Sequence, residues 1–188
     1  MTRIVAGVAG GRRLQVPPGG TRPTSERVRE AVFSTLQSRV DLDGARVLDL
    51  YAGSGALGLE ALSRGAAHVR FVESDRRAAT ILRRNVDALG LPGGEVTVGA
   101  VETVLRSGPR SDPGQAYDVV LADPPYALAG GALAAALGGL DRYGWLRPGA
   151  VLVVERSARD PAPTWPGGVV PVTERRYGDS QVYYGHNP

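Results

Sequence analysis

The sequence predicts an α/β domain built on a mostly parallel, doubly wound sheet, with a β-hairpin and a helix at its N-terminus. Three observations support this prediction. Apolar runs typical of buried strands alternate with segments of helical periodicity through most of the 188 residues. One apolar run, Arg46–Leu50, passes directly into a glycine-rich turn and a helix. Another, Tyr117–Ala122, ends at the tetrapeptide Asp123-Pro-Pro-Tyr126.

Length and composition suit a single domain with a small extension at one end. The hydrophobic content of 43% is ordinary for a globular protein, and no run approaches the ~20 apolar residues of a membrane span. The absence of cysteine excludes disulfides and thiolate metal sites. The N-terminus lacks the apolar core of a signal peptide. We therefore expect a cytoplasmic protein, monomeric, with no membrane segment and no metal site.

All 22 basic residues are arginine, and the formal net charge is +3. Arginine suits phosphate and base recognition because its guanidinium is planar and always charged. Part of this excess also fits the codon bias of a GC-rich genome, since alanine and glycine are abundant too. The charge balance therefore permits a nucleic-acid partner without requiring one.

The N-terminal 40 residues are predicted to form a separate extension. Residues 3–8 and 12–16 flank the turn Ala9-Gly-Gly11 and predict a hairpin, and residues 25–38 predict a helix with Thr24 as its N-cap. Arginines concentrate on these two elements, as expected for contacts with a phosphate backbone. The alternative is a solvated basic edge that discourages strand pairing. The candidate RNA-contacting residues are Arg3, Arg12, Arg13, Arg22 and Arg29.

The glycine turn matches a known dinucleotide-binding pattern. Gly53 to Gly58 read G-x-G-x-x-G, and Glu73 stands 20 residues after Gly53, where a ribose-binding acid is expected. A nicotinamide enzyme is one interpretation, and a plain strand-turn-helix is another. Against the first, Asp49 lies four residues before Gly53 and is predicted to point into the site, where it would repel a pyrophosphate. A ligand with an amino group and a sulfonium would be attracted, so we infer S-adenosylmethionine (AdoMet).

The rest of the chain continues the alternation of helices and strands. Residues 106–115 are predicted to be a loop. The further predicted helices are 57–63, 75–89 and 128–140; the further strands are 68–72, 95–98 and 150–154, with a terminal hairpin of 169–173 and 181–184.

Two positions after the second and third core strands are predicted to contact the adenosine. Glu73 closes one strand and can accept hydrogen bonds from both ribose hydroxyls; alternatively it is an exposed acid at a helix start. After the next strand, the backbone N–H groups of Ala100 and Val101 can reach an adenine ring. Thr24 is a candidate lid residue over the same pocket, or simply part of a helix start.

Asp123-Pro-Pro-Tyr126 predicts methyl transfer to a nucleobase amine. Such an amine is a poor nucleophile because its lone pair is delocalised, and two acceptors for its N–H bonds make it pyramidal. Asp123 offers a carboxylate and Pro124 a carbonyl oxygen, while the prolines fix φ and remove competing donors. Tyr126 can stack on the base. The candidate catalytic residues are Asp123, Pro124, Pro125 and Tyr126.

These residues resemble class I AdoMet-dependent amino-methyltransferases. The resemblance implies a Rossmann-like seven-stranded sheet with the last strand antiparallel and helices on both faces. Gly99-Ala100 departs from the family, in which many members carry a polar residue for adenine. The cofactor-binding residues implied by pattern and resemblance are Asp49, Tyr51, Ala52, Gly53, Ser54, Gly55, Glu73, Ser74, Ala100, Val101, Asp123 and Thr24.

Three further stretches are similar to bacterial methyltransferases that modify guanine N2 in small-subunit ribosomal RNA. They are Arg3-Ile-Val-Ala-Gly with Gly11-Arg12, the segment 22–33, and Arg176-Tyr-Gly178. The resemblance implies 16S rRNA within a partly assembled subunit as substrate, an RNA-engaging extension at 1–40 and a catalytic domain at 41–188. The alternatives are an adenine-N6 methyltransferase acting on DNA or RNA, and a non-catalytic RNA-binding module.

Overall fold

The structure, a computed structural model, describes residues 2–18, 25–109 and 115–188. In these ranges, nine strands and five helices follow one another along the chain. They are β1 (Thr2–Arg3), β2 (Arg13–Leu14), α1 (Glu26–Gln37), β3 (Arg46–Leu50), α2 (Ala56–Ser63), β4 (His68–Glu73), α3 (Arg76–Leu89), β5 (Gly94–Val98), α4 (Val101–Arg106), β6 (Tyr117–Ala122), α5 (Gly130–Arg142), β7 (Leu146–Ser157), β8 (Val170–Tyr177) and β9 (Ser180–His186).

Seven of the strands form one sheet in the order β5-β4-β3-β6-β7-β9-β8. The five strands from β3 to β7 pair in parallel, while β9 runs antiparallel to both of its neighbours. The order reverses direction between β3 and β6, which is where ligands bind in open α/β sheets. The predicted seven-stranded sheet with an antiparallel last strand is confirmed.

Helices cover both faces of this sheet, as predicted. On one face, α1, α2 and α3 contribute Phe33, Leu59 and Leu82 to a core that is closed to solvent. On the other face, α4 and α5 contribute Leu105 and Leu137. Parallel strands covered on both sides must be apolar throughout, which explains the continuous apolar runs in the sequence.

Several predicted elements differ in extent from the observed ones. Helix α4 was not predicted, because six residues are too few to show helical periodicity; it shares only Arg106 with the predicted loop. Strand β8 continues through the charged residues to Tyr177, because an edge strand tolerates polar side chains. The hairpin strands are only two residues each. The N-cap of α1 is Ser25, whose hydroxyl accepts from the Val28 N–H; the prediction of Thr24 was wrong.

The N-terminal segment is fastened to the sheet domain by buried polar contacts. Glu60, which is 0% exposed, accepts hydrogen bonds from the backbone N–H groups of Val5 and Ala6 at 2.8 and 3.0 Å. Ser63 Oγ accepts from the Ala9 N–H at 2.9 Å. Ile4 and Leu14 also belong to the same core as α1 and α2. The segment therefore shares the hydrophobic core of the sheet, and the boundary at residue 40 stays a prediction.

None of the helices in the described ranges is long and apolar enough to cross a membrane. Among those same residues, no group of three or more His, Cys, Asp or Glu side chains is arranged to hold a metal ion.

Candidate active site

The carboxyl ends of four parallel strands lie level with one another at one edge of the sheet. The pairs Leu50↔Val72, Leu50↔Ala122 and Ala122↔Val154 fix this register. The residues that follow the paired positions are therefore neighbours across the edge. In sheet order they are Glu73, Tyr51, Asp123 and Glu155. Register thus gathers into one row residues that the sequence separates by up to a hundred positions.

A cavity of about 630 Å³ opens over the β5 side of this row, at the ends of β5, β4, β3 and β6. Its size falls within the usual range for small-molecule sites. The predicted residues Tyr51, Gly53 and Glu73 line it together with Asp123. Its full lining is Pro17, Pro18, Tyr51, Gly53, Glu73, Ser74, Asp75, Arg77, Ala78, Ile81, Ala100, Val101, Glu102, Asp123, Pro125 and Leu128.

The glycine loop between β3 and α2 is held by its own hydrogen bonds. The Gly55 N–H donates to the Ala52 carbonyl oxygen at 2.7 Å, and Gly55 caps α2 with a φ of 84°. Ser54 is buried, and its carbonyl oxygen accepts from Asn85 of α3 at 2.9 Å. Of the loop residues predicted to bind the cofactor, only Tyr51 and Gly53 line the cavity. Ala52, Ser54 and Gly55 instead take part in the hydrogen bonds that hold the loop.

Asp49 lies beneath this loop and does not face the cavity. Its side chain is 1% exposed, and Oδ2 accepts from the Gly58 N–H at 2.9 Å. A Cβ at position 58 would lie 2.8 Å from that oxygen and 2.3 Å from the Phe71 ring, so this position requires glycine. The predicted orientation of Asp49 into the crevice was wrong, because the first turn of α2 provides a donor directly above the strand. Burial, opposed by the Gly58 hydrogen bond and assisted by Glu73, raises the pKa of Asp49 to about 7.

Glu73 joins the ends of two strands. Its carboxylate accepts from the Gly53 N–H and from the Asp75 N–H, each at 2.7 Å. It is partly exposed and lines the cavity, so each oxygen keeps lone pairs that can face a ligand. Asp75 in turn caps α3, accepting from the Arg77 and Ala78 N–H groups. The acid at this strand end is therefore oriented before any ligand arrives.

Tyr51 has an unusual backbone and side chain. Its φ of 59° is the one positive value among the non-glycine residues that the structure describes. Its hydroxyl is buried and has no hydrogen-bond partner within the described ranges. Burial is the main cause that raises the pKa of this phenol, and Glu102 adds to the effect. Strained backbone at a cavity wall is a feature that ligand sites commonly show.

The loop Asp123–Tyr126 lies between two cavities. Asp123 and Pro125 line the first cavity, whereas Tyr126 lines a second one of about 650 Å³. Tyr126 is 56% exposed, while Pro124 is buried. The second cavity is bounded by the start of α1, the end of β7 and the β8–β9 turn; its lining is Ser25, Val28, Tyr126, Glu155, Ser157, Arg159, Asp160, Tyr177, Gly178, Asp179 and Ser180. This short loop thus contributes Asp123 and Pro125 to one cavity and Tyr126 to the other.

The five candidate RNA-contacting arginines have different surroundings. Arg13 is exposed, and Arg3 is exposed but paired with Glu26 at 2.8 Å. Arg12 donates to the Leu89 carbonyl oxygen at 2.8 Å and also to that of Ala88, at the end of α3.

Arg29 is 0% exposed and donates to the Thr2 hydroxyl at 3.0 Å and to the Arg3 carbonyl oxygen. The prediction that Arg29 contacts RNA was wrong, because this helix position faces the core and the guanidinium fastens β1 to α1. Desolvation lowers the pKa of Arg29.

The structure gathers most of the predicted cofactor residues and adds others. Ser74, Ala100 and Val101 line the first cavity as expected, while Thr24 and Arg22 lie outside the described residues. The sequence analysis did not single out Pro17 and Pro18, since consecutive prolines indicate only an interruption of regular structure. It also missed the inner side of α3, including Ile81, whose apolar periodicity indicated only core packing.

A parallel sheet with one antiparallel strand, a glycine loop at the first core strand and an Asp-Pro-Pro-Tyr loop at the fourth define a class I methyltransferase fold. A solved structure of magnesium protoporphyrin IX methyltransferase from Synechocystis, with bound AdoMet, superimposes with a TM-score of 0.66. The alignment covers 92% of this chain and 87% of that one, and the 13% identity supports the fold alone.

Sequence comparison then identifies the family. The chain belongs to the family described as Conserved hypothetical protein 95, whose model matches residues 2–186. It is 38% identical over 165 residues to ribosomal RNA small subunit methyltransferase D of Escherichia coli K12, covering 87% of this chain and 79% of that protein. It also matches the structure of a hypothetical protein from Thermus thermophilus, with a TM-score of 0.82, 34% identity and 98% of each chain covered.

Proposed function

We propose that this protein transfers a methyl group from AdoMet to the exocyclic N2 amine of a guanine in 16S rRNA. The observation that supports the proposal best is the position of the Asp123–Tyr126 loop between two cavities. A donor in the first cavity and a base in the second meet over Asp123. The Escherichia coli relative, which is named a small-subunit rRNA methyltransferase, supports rRNA as the substrate class.

The residues present fit AdoMet in the first cavity. Glu73 stands at the end of β4 with both oxygens oriented by backbone N–H groups, as recognition of ribose hydroxyls requires. Ala100 and Val101 form a small-residue wall beside it, on the side where an adenine would lie. Bound there, AdoMet supplies a methyl group activated by its sulfonium. We assign the orientation of that group to Gly53 and Tyr51, which line the cavity between Glu73 and Asp123.

The protein's own contribution to the reaction is to position the amine. The Asp123 carboxylate accepts one N–H of the base and the Pro124 carbonyl oxygen accepts the other, so the nitrogen lone pair points at the donor. Pro124 is buried, which holds its carbonyl rigidly. Tyr126 stacks on the base, and its exposure leaves its ring accessible to RNA. Positioning and oriented acceptors of this kind can lower a barrier by several kcal/mol.

The substrate is proposed to be a partly assembled small subunit, engaged by the N-terminal segment. Arg13 is exposed on β2, and Arg3 is exposed on β1. These side chains can contact phosphates, whereas the buried Arg29 supports the segment from within. Adenine N6 is the competing acceptor, since the same tetrapeptide chemistry suits either exocyclic amine.

The test uses RNA from cells that lack the protein. Purified protein and AdoMet with a labelled methyl group are incubated with naked 16S rRNA and, separately, with partly assembled small subunits. The modified nucleoside is identified after digestion, and its position is mapped. We expect N2-methylguanosine at one position and greater labelling of the assembled particles. N6-methyladenosine would overturn the choice of base, and labelling of large-subunit rRNA alone would overturn the substrate.

Two controls accompany this assay. Asp123→Ala is expected to bind AdoMet and to transfer the methyl group about 10²–10³-fold more slowly. Titration with NAD in place of AdoMet is expected to give no thermal protection. Protection by NAD alone would favour the nicotinamide interpretation over methyl transfer.

A further inference from the structure

The second cavity contains a carboxylate that the proposed reaction does not use. Glu155 comes directly after Val154 in β7. It lies at the level of Asp123, because Ala122 pairs with Val154 across the two parallel strands. The side chain is 8% exposed, and it lines the cavity that also contains Tyr126. A mostly buried acid beside the stacking residue is in the right place to read the edge of a base.

The sheet places Glu155 on the same face as Asp123. Along β7, Val151 and Val153 belong to the core under α1, whereas Leu152 and Val154 belong to the opposite core. Side chains alternate along a strand, so Glu155 faces the α1 side. The same alternation on β6 puts Leu121 on that side, with Asp123 two residues further on. Glu155 therefore projects toward the start of α1, where the second cavity lies, whereas Asp123, one residue beyond the end of β6, lines the first cavity.

The spacing of these acids matches two donors of one guanine. Neighbouring strands lie about 4.8 Å apart, so the backbone positions of two acids at the same level are separated by roughly that distance. Guanine carries N1–H directly beside its 2-amino group. The N1–H bond and the 2-amino N–H bond on the N3 side diverge, so they require separate acceptors. An ionised carboxylate can only accept. Adenine presents an unprotonated N1 at this point, which a carboxylate would repel.

We propose that Glu155 is the residue that selects guanine, by accepting a hydrogen bond from N1–H while Asp123 holds the 2-amino group. The proposal rests on the proposed function, since it assumes a guanine whose N2 is methylated. A base without an N–H at position 1 leaves the Glu155 carboxylate without that hydrogen bond. The site therefore disfavours such a base. Discrimination of about 10- to 200-fold is expected for one such contact, the equivalent of roughly 1–3 kcal/mol.

The test compares guanine with 2-aminopurine at the mapped position of a synthetic RNA. 2-Aminopurine keeps the 2-amino group but has no N1–H, so N1 is an acceptor. The wild type is expected to methylate guanine at least about 10-fold faster, judged by kcat/KM. In Glu155→Gln, the amide can accept from N1–H of guanine or donate to N1 of 2-aminopurine. The ratio of the two rates is therefore expected to fall toward 1.

The matched control is Glu174→Gln, the same chemical change at an exposed acid of β8 that lines neither cavity. It should keep the wild-type ratio. Thermal protection by AdoMet verifies that each variant folds and keeps its first cavity. A structural role for Glu155 would lower both rates together and leave the ratio unchanged, which would overturn the proposal.

The two proposals fail in different ways. If the wild type transfers no methyl group to guanine in 16S rRNA, whether the RNA is naked or in assembled particles, the proposed function fails. If it does so but Glu155→Gln preserves the guanine preference, only the assignment of Glu155 fails.

Discussion

The two loops that form the site are built in contrasting ways. The glycine loop after β3 is held by hydrogen bonds. Asp49 and Glu73 accept from backbone N–H groups, and the Ser54 carbonyl oxygen accepts from the Asn85 side chain. The Asp123–Tyr126 loop after β6 is fixed by its prolines and exposes Tyr126 to solvent. The first loop is fixed by hydrogen bonds; in the second, the prolines also restrict the backbone dihedrals, beside a hydrogen bond from the Leu128 N–H to the Pro125 carbonyl oxygen at 2.8 Å.

This contrast follows from the ligands that the two loops are proposed to receive. A small cofactor of constant shape gains affinity when its site is rigid before binding, because little ordering remains to oppose association. A base within a large RNA must first reach its site, so the groups that meet it have to be accessible. The variants that follow test this division, from the largest expected effect to the smallest.

Asp123→Ala should separate catalysis from cofactor binding. Removing the acceptor from the amine is expected to lower kcat by about 10²–10³-fold, as found when one oriented group of a transition-state site is lost. AdoMet affinity, measured by calorimetry, should change little because the cavity keeps its other walls. A variant with wild-type turnover, or one that loses AdoMet as strongly as methyl transfer, would contradict the division.

Glu73→Ala should weaken AdoMet binding and affect the methyl-transfer step much less. It removes the acceptor for the Gly53 and Asp75 N–H groups as well as the proposed ribose contact. Hydrogen bonds to a charged group contribute about 1.5–3 kcal/mol, so the AdoMet Kd is expected to rise about 10- to 100-fold. Saturating AdoMet should restore most of kcat. Glu73→Gln, which keeps one acceptor oxygen, should be intermediate; equal affinity in all three proteins would remove Glu73 from the site.

Asp49→Asn should change how stability depends on pH. The folded pKa of about 7 lies above the ordinary 3.8, so the stability contributed by the protonated form is present below pH 4 and is lost as the pH rises through 7. The wild type is expected to lose about 2 kcal/mol of unfolding free energy between pH 5 and 8 by this route.

Asparagine keeps an acceptor for the Gly58 N–H and does not titrate, so this loss should disappear in the variant. Urea unfolding of both proteins at several pH values measures how the free energy of unfolding depends on pH. An unchanged slope would show that Asp49 is not the titrating group.

Arg13→Gln should have the smallest effect. Arg13 is exposed on β2, so folding and AdoMet binding should be unaffected. Loss of one phosphate contact is expected to raise the RNA KM a few-fold and to reduce the salt slope of binding by about 1. Arg12 is a poorer test because its guanidinium also holds the end of α3. An unchanged salt slope in Arg13→Gln would remove β2 from the RNA surface.

Local patterns predicted the elements of the site better than the direction of its side chains. The glycine spacing and the Asp-Pro-Pro-Tyr tetrapeptide marked the correct strand ends, because these short motifs carry their own backbone requirements. Asp49 and Arg29 were misjudged, since a charged residue in the sequence suggests exposure. Each is buried against a partner from another element, Gly58 of α2 for Asp49 and Thr2 of β1 for Arg29. Such pairing is a product of packing.

By itself the sequence determined the alternation of strands and helices, the position of both loops and the chemistry their residues can perform. These properties depend on side-chain type and on near neighbours in the chain. Only the tertiary structure decided that Tyr51, Glu73, Asp123 and Glu155 form one row, and that the loop containing Asp123 and Tyr126 borders two cavities. The physical reason is register: hydrogen bonding between strands distant in the chain fixes which residues become neighbours, and no local pattern encodes that pairing.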